Sequence, residues 1–388
     1  MSNERLIIHA PNVHMGGGRV LLTELLSSLS PYVRGAAILD ERLELPFVLP
    51  DNIAEVRVSP SLRDRLRAEK ALAQIADGQT RILCFGNLPP LMRCRGRVSV
   101  FLHNRHLVSP TDLSGFPFKA RLRIRAERAW IRLYAARVNE WIVQTESMRL
   151  LLAERLGGSA TIRVLPFVAD VEAAAVHRSD PTERPLEPVD FCYVASGEPH
   201  KNHRKLIEAW VLLAQEGLVP SLRLTLDRAD DRALCSWIEE QKQRYRLNIE
   251  NIGRVPPSRI PRIYRSSRCQ IHPSWCESFG LPLIEAQSLG LSIVAAELDY
   301  VRDVVVPDET FDPHSARSIA RAVARYLGRP ATVPQVPNGR SFLAQLAMTD
   351  GCAGPASETP MPSLPAVPAV DLSERRTTAE VRSEMAHR

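Results

Sequence analysis

Polar and apolar positions along the chain follow two alternating rhythms. Short continuous apolar runs suit strands buried on both faces, and longer stretches with apolar residues every three to four positions suit amphipathic helices. Arg5–Ala10, Gly35–Leu39, Ile82–Phe85, Val98–His103 and Glu140–Gln144 read as strands, and Arg19–Leu29 and Lys119–Arg137 as helices. His177–Pro188 is polar, rich in proline and without apolar period, as an interdomain connection or long surface loop would be. The alternation then resumes. Asp190–Ala195, Leu222–Leu226, Cys269–His272 and Ser292–Ala296 read as strands, and Arg204–Gln215, Arg232–Arg246, Pro282–Leu289 and Ala316–Leu327 as helices. Strands that alternate with helices favour largely parallel sheets. Two such units in succession predict an α/β protein of two doubly wound, Rossmann-like domains, with ligands at the strand carboxyl ends.

The expected division is a first domain over 1–176, a connection over 177–188, a second domain over 189–345 and a tail over 346–388. The tail is rich in Pro, Ala, Ser and Thr, a composition that predicts disorder. The chain has 388 residues, enough for two domains. It contains no apolar run of about 18 residues and no signal-peptide pattern at its start, which predicts a cytoplasmic location. Seven scattered cysteines without a C-x-x-C argue against a disulfide framework or a structural zinc site. The net charge of +6 suits an anionic partner such as a phosphorylated substrate, a membrane surface or nucleic acid, although a compositional bias towards arginine would produce it as well.

The segment His272-Pro-Ser-Trp-Cys-Glu277-Ser-Phe-Gly-Leu-Pro-Leu-Ile-Glu285-Ala286 changes this picture. A strand ends at its start, a loop follows, and a helix begins near Leu281 with Pro282 pre-organised for the first turn. A helix start at a sheet's carboxyl edge offers backbone N–H groups and a positive dipole end to an anion. Glu277 and Glu285 would be unfavourable beside an anion unless they accept hydrogen bonds, and sugar hydroxyls are natural donors for that purpose. As bare glutamates the two would be solvated surface carboxylates.

The string PSWCESFGLPLIEA resembles the pattern P-S-x-x-E-x-F-G-L-P-x-x-E-A of the family-four retaining glycosyltransferases, also called glycosyl transferases group one. The resemblance runs from the chain's start to about Leu327. It implies the GT-B fold, two facing Rossmann-like domains whose donor and acceptor meet in the cleft. It further implies that Glu277 contacts the transferred sugar, that Glu285 binds ribose hydroxyls, and that the backbone of Ser278, Phe279, Gly280 and Leu281 holds diphosphate and sugar. In Phe191–Trp210, Lys201 matches the family lysine that neutralises the leaving diphosphate. Ser196 stands where the family has arginine, a departure that leaves Arg254 or a hydroxyl to complete the phosphate site. The turn Asn12–Arg19, with Gly16 and Gly17, matches the family's glycine loop facing the donor phosphates and the acceptor. His103 matches a histidine near the transferred sugar, at the end of its strand. Gln144–Ser147 and Gly253-Arg254-Val255 are weaker matches, the latter beside the nucleotide base.

No D-x-D triplet occurs, so a metal-independent transferase is expected, with Lys201 and the helix start in place of an ion. The catalytic assignment is Glu277, His103 and Lys201. No cofactor is expected beyond the nucleotide-sugar donor. Similarity to bacterial polysaccharide and O-antigen mannosyltransferases implies GDP-mannose, with UDP- and dTDP-sugars open, and a glycan or polyprenyl-diphosphate-linked glycan as acceptor, with no nucleic acid. Lys119–Arg137 mixes seven basic residues with apolar ones and a single glutamate, as a helix lying on an anionic inner-membrane leaflet would, or a core-packed helix with a solvated basic face. The alternatives are another nucleotide-sugar enzyme, epimerase- or phosphorylase-like, and a binding protein with a decayed site.

Overall fold

Strand β1 (Arg5–Ala10) has four successive buried residues, Ile7, Ile8, His9 and Ala10, and lies at the centre of a sheet, which is why all of them but His9 are apolar. In the computed structural model, which describes residues 5–110, 113–158, 160–169, 185–329 and 340, this sheet has seven strands. They are β2 (Arg34–Asp40), β3 (Ile53–Val58), β4 (Thr80–Cys84), β5 (Arg97–Phe101), β6 (Glu140–Val143) and β7 (Ile162–Val164) with β1, in the order β3-β2-β1-β4-β5-β6-β7. Helices α1 (Gly16–Ser27), α2 (Leu62–Ile75), α3 (Phe118–Tyr134) and α4 (Glu146–Leu156) belong to this half.

The second sheet has six strands, β8 (Val189–Tyr193), β9 (Leu222–Leu224), β10 (Ile249–Asn251), β11 (Ser267–His272), β12 (Ser292–Ala296) and β13 (Glu309–Phe311), in the order β10-β9-β8-β11-β12-β13. Its helices are α5 (His203–Gln215), α6 (Arg232–Tyr245), α7 (Ile260–Arg265), α8 (Leu281–Ser288), α9 (Asp299–Arg302) and α10 (Ala316–Tyr326). Every described strand pair in both sheets is parallel. Each sheet carries apolar clusters on both faces, for example Leu72, Val100 and Trp141 on one side of the first sheet and Leu22, Leu39 and Phe85 on the other. The longer helices face these clusters with residues three to four apart, such as Leu206, Ile207, Trp210 and Leu213 of α5. Two doubly wound α/β domains follow, as the alternation predicts.

Strand order reverses between β1 and β4 in the first sheet and between β8 and β11 in the second. At such switch points connections leave in opposite directions and open a crevice at the strand carboxyl ends. The loops after β8 and β11 hold Ser196–Lys201 and Pro273–Gly280, and the turn after β1 leads into Gly16–Gly18 at the start of α1.

Several elements differ from the sequence-based expectation. β3 and α2 escape the apolar pattern because β3 is an edge strand with four exposed residues in its middle, and α2 buries only Ala68 and Leu72. β7, β10 and β13 are three-residue strands, too short to carry a period. α1 starts at Gly16 rather than Arg19; three glycines, poor helix formers, occupy its first turn and hide it from the residue pattern. β5 ends at Phe101, so His103 lies two residues beyond the strand rather than at its end. Most of the 177–188 connection and the whole of the 346–388 tail lie outside the described residues.

Candidate active site

Gly280 has φ of 72°, a left-handed conformation suited to glycine, and turns the loop after β11 into α8. No side chain caps α8, and Pro282 occupies its first turn. The start of α8 therefore presents Ser278, Phe279, Gly280 and Leu281 as backbone at the carboxyl edge of the second sheet. Glu277 lies just before this turn and Glu285 one turn into the helix.

The surroundings of these two carboxylates are opposite. Glu277 Oε1 is 2.6 Å from Lys201 Nζ and 3.9 Å from His272 Nε2, and both members of the lysine pair are largely buried. Burial alone would raise the Glu277 pKa, but Lys201, then His272 and His200, override it and hold the carboxyl at about 2. Among the described residues no cation acts on Glu285. Its Oε2 accepts from the Tyr264 hydroxyl at 3.3 Å, and burial pushes its pKa up to about 7 against that hydrogen bond.

Lys201 closes the short turn Pro199–Lys201 after β8. Asn202 follows with φ of 63° and donates from Nδ2 to Pro273 O (3.0 Å) and Pro313 O (2.7 Å), tying the start of α5 to the end of β11. The Lys201 carbonyl accepts from the buried Tyr193 hydroxyl at 2.8 Å, and that hydroxyl also meets Ser274 Oγ at 3.0 Å. The imidazoles around the lysine are held neutral at pH 7. Burial pushes His272 down to about 4, and burial with the Lys201 charge pushes His203 to about 3. Among the described residues neither nitrogen of either ring has a hydrogen-bond partner.

The first sheet contributes the opposite wall. His103 packs against the stacked pair Phe85 and Phe101, each ring centroid 5.5 Å away, and its Nε2 faces Phe85 O at 3.1 Å and Asn87 Nδ2 at 3.3 Å. Burial lowers its pKa to about 4, so it is a neutral imidazole at pH 7. A Cβ on Gly18 would meet His103 Cε1 at 2.7 Å, so glycine at 18 admits the ring. A Cβ on Gly17 would lie 3.2 Å from Leu281 Cδ1, which brings the glycine turn against the start of α8. The His103 carbonyl accepts from Ser278 Oγ at 2.8 Å across the two sheets. Thr145 caps α4 and reaches Ser278 O at 3.5 Å, and Ser147 N donates to Asp303 at 3.0 Å.

Gly16, Gly17, His103, Lys201, Glu277 and Ser278–Leu281 thus lie on loops and helix starts at one edge of the two sheets; contacts link His103 and Lys201 to the loop before α8, and Gly17 lies against Leu281 at the start of α8. Ser196 and Arg254 are engaged elsewhere. The Ser196 hydroxyl donates to Glu198. Arg254 lines a shallow hollow of about 290 Å³ with Val255, Arg259 and Arg262, and its charge acts on Asp227. Neither makes a described contact with Lys201 or Glu277. Arg105, Tyr264, His272 and the Tyr193–Ser274 pair belong to the site without having been singled out in the sequence. The His-Pro-Ser string ends β11 at His272, and Arg105 follows His103 by two positions, but only the fold brings either beside Glu277. Among the described residues there is no group of three or more His, Cys, Asp or Glu that could hold a metal ion.

Residues 177–335 match the family model of Glycosyl transferases group 1. The O-antigen chain mannosyltransferase B of Escherichia coli is 31% identical over 115 residues, 29% of this chain and 30% of that protein. The D-inositol 3-phosphate glycosyltransferase of Corynebacterium glutamicum (strain R) is 28% identical over 180 residues, 43% of either chain. The similar stretch spans less than half the length of both relatives. The solved structure of sucrose-phosphate synthase from Thermosynechococcus elongatus superposes with a TM-score of 0.62 at 17% identity, over 84% of this chain and 90% of that one. The shared architecture is the GT-B fold.

Proposed function

We propose that this chain, whose residues 177–335 match the family model of Glycosyl transferases group 1 and which has the GT-B fold, moves a hexosyl group from a nucleotide diphosphate sugar to a glycan or lipid-linked glycan. The observation that carries the reading is the start of α8, flanked by Glu277 on Lys201 and Glu285 on Tyr264, with His103 facing it from the other sheet. The diphosphate would lie on the backbone of Ser278–Leu281 and on Lys201, the ribose hydroxyls would donate to Glu285, and the sugar would lie between Glu277 and His103. Lys201 and the helix dipole would stabilise the departing diphosphate without a metal ion.

Transfer would proceed with retention. The acceptor oxygen bonds to the anomeric carbon from the face that the phosphate leaves, and its proton passes to the leaving phosphate oxygen. This route suits a site whose Glu277 is already committed to Lys201 and is not a free nucleophile. The similarity to an O-antigen chain mannosyltransferase favours mannose from GDP-mannose and a role in surface polysaccharide synthesis. No cofactor beyond the donor is invoked.

The chain would work in the cytoplasm, at the inner face of the membrane where a polyprenyl-diphosphate-linked acceptor resides. Among the described residues no helix is long and apolar enough to cross a membrane. On α3, Lys119, Arg123, Arg125 and Arg132 are exposed together with Phe118, Leu122 and Leu133, a mixture suited to an anionic leaflet. Arg128 and Arg137 instead hold the carbonyls of His106, Ser109 and Pro90.

The test is a binding and turnover screen of GDP-, UDP- and dTDP-sugars with and without glycan acceptors. Binding of one donor class with slow donor hydrolysis supports the reading, and absence of both transfer and hydrolysis with retained binding would favour a decayed site. Co-sedimentation with anionic vesicles at low salt tests the membrane contact; no binding there would remove it.

A further inference from the structure

Arg105 belongs to the first sheet's half of the molecule, yet its guanidinium is spent on the second. It leaves the short turn Arg105–Leu107, which Asn104 caps by accepting from His106 N at 3.1 Å. Its Nη2 donates to Asp299 Oδ2 at 2.6 Å and its Nη1 to the Glu277 carbonyl at 3.5 Å. The Arg105 side chain is 13% exposed and the Asp299 side chain 48%, so the arginine is held by the protein while the carboxylate stays open to solvent. Asp299 opens α9, and its other oxygen accepts from Tyr300 N at 2.7 Å. The buried Tyr300 hydroxyl then donates to Ser274 O at 2.7 Å. Ser274 Oγ meets the Tyr193 hydroxyl, which donates to the Lys201 carbonyl. One connected run of hydrogen bonds therefore leads from Arg105 to the backbone of Lys201, and a second contact reaches the backbone of Glu277. Its polar side chains, Ser274, Tyr193 and Tyr300, are almost wholly removed from solvent.

We propose that Arg105 is a positioning residue for the Lys201–Glu277 pair. Gripping α9 and the Glu277 peptide from the opposite domain, it sets the loop before α8 in register with His103, two residues away on its own strand-end segment. It touches neither Lys201 Nζ nor the Glu277 carboxylate. Its effect is on where those groups stand, and displacements of about 1 Å in a site of this kind cost up to about 100-fold in rate. A guanidinium suits the role because it can donate to a carboxylate and a carbonyl at once in a fixed plane.

This inference rests on the transferase reading only for its effect on turnover, and the test separates the two. Hydrogen exchange of the backbone amides of 274–281 is measured on the full chain without ligand, for the wild type, Arg105→Ala, Asp299→Asn, Arg105→Lys and the exchanged pair Arg105→Asp with Asp299→Arg. Either neutralising variant should speed exchange there, Arg105→Lys less so, and the exchanged pair should restore part of the protection. In the same variants, affinity for the nucleoside diphosphate of the preferred donor should change less than about threefold while turnover falls about 10- to 100-fold. Unchanged exchange over 274–281 in both neutralising variants overturns the proposal. So does a loss of nucleotide affinity as large as the loss of turnover, which would make Arg105 a direct ligand. Absence of binding and turnover in the wild type would sink the transferase reading, and the exchange data would still judge the positioning.

Discussion

Glu277 and Glu285 stand eight positions apart, at the two ends of one helix start, and they are chemically opposite. The loop end is electrostatically saturated. Lys201 stands 2.6 Å from Glu277, and the carboxyl titrates at about 2. The helix end has burial and one tyrosine hydroxyl, and Glu285 titrates at about 7. The comparison teaches that the charge state of a motif residue is set by what other segments bring to it. Lys201 arrives from the loop after β8, and Tyr264 from α7. A carboxylate locked in an ion pair suits the place where positive charge develops and a phosphate departs. A carboxylate free of cations suits reversible acceptance of ribose hydroxyls.

The harshest way to break the contrast is to remove its cation. Lys201→Ala should lower turnover by roughly 100- to 1,000-fold, the usual scale for losing a group that stabilises a transition-state charge. It should also lower folding stability at pH 7 by about 3–5 kcal/mol, because a buried carboxylate is left without its partner. Adding Glu277→Gln should recover much of the stability, measured by denaturant unfolding, and none of the turnover. Recovery of both would mean that Lys201 serves the fold alone.

Glu285→Ala acts on binding. It should weaken nucleotide-sugar affinity by about 10- to 100-fold, the scale of hydrogen bonds to a charged group, as read by calorimetry. Unchanged affinity would remove the ribose assignment. The same carboxylate predicts a pH profile. With a titration near 7, the ionised fraction falls about tenfold from pH 8 to pH 6, and donor affinity should fall with it. Glu285→Gln should flatten that profile, whereas Glu277, ionised well below this range, should add no slope to it.

Stability should respond in opposite senses at the two ends. The Glu277 pKa is depressed below its ordinary value, so its contribution is present above about pH 4.5 and lost as pH falls towards 2. The Glu285 pKa is raised, so the folded state holds a proton more tightly than the unfolded chain, and stability is lost as pH rises from about 4.5 through 7. Glu285→Gln should therefore make the chain more resistant to urea at pH 8 relative to pH 5 than the wild type is. A smaller effect is expected for Tyr264→Phe. Losing the hydroxyl that lowers the Glu285 pKa should move the binding profile to slightly higher pH and weaken affinity at pH 7 by about two- to threefold.

Much of the frame was legible in the residue pattern because parallel strands buried on both faces must be apolar throughout, as in Leu6–Ile8 and Ile293–Ala296. The turn into α8 was legible for a local reason as well, since Gly280 permits a left-handed turn and Pro282 fixes φ for the first helical turn. Edge elements such as β3 and β10 were not, because solvent on one side relaxes the demand for apolar residues.

The chain's own order of residues determined two doubly wound sheets, a helix start flanked by two glutamates, and a lysine on a neighbouring turn, all properties of contiguous segments. Only the tertiary structure decided that Lys201 meets Glu277, that Tyr264 meets Glu285, that Ser278 bonds to the His103 carbonyl, and that Arg105 reaches Asp299 194 positions away. Those pairings depend on strand order at the switch points and on how the two halves meet. Burial, which raises Glu285 and lowers the imidazoles, and the Lys201 charge that overrides it at Glu277, act only once the chain has folded around these groups.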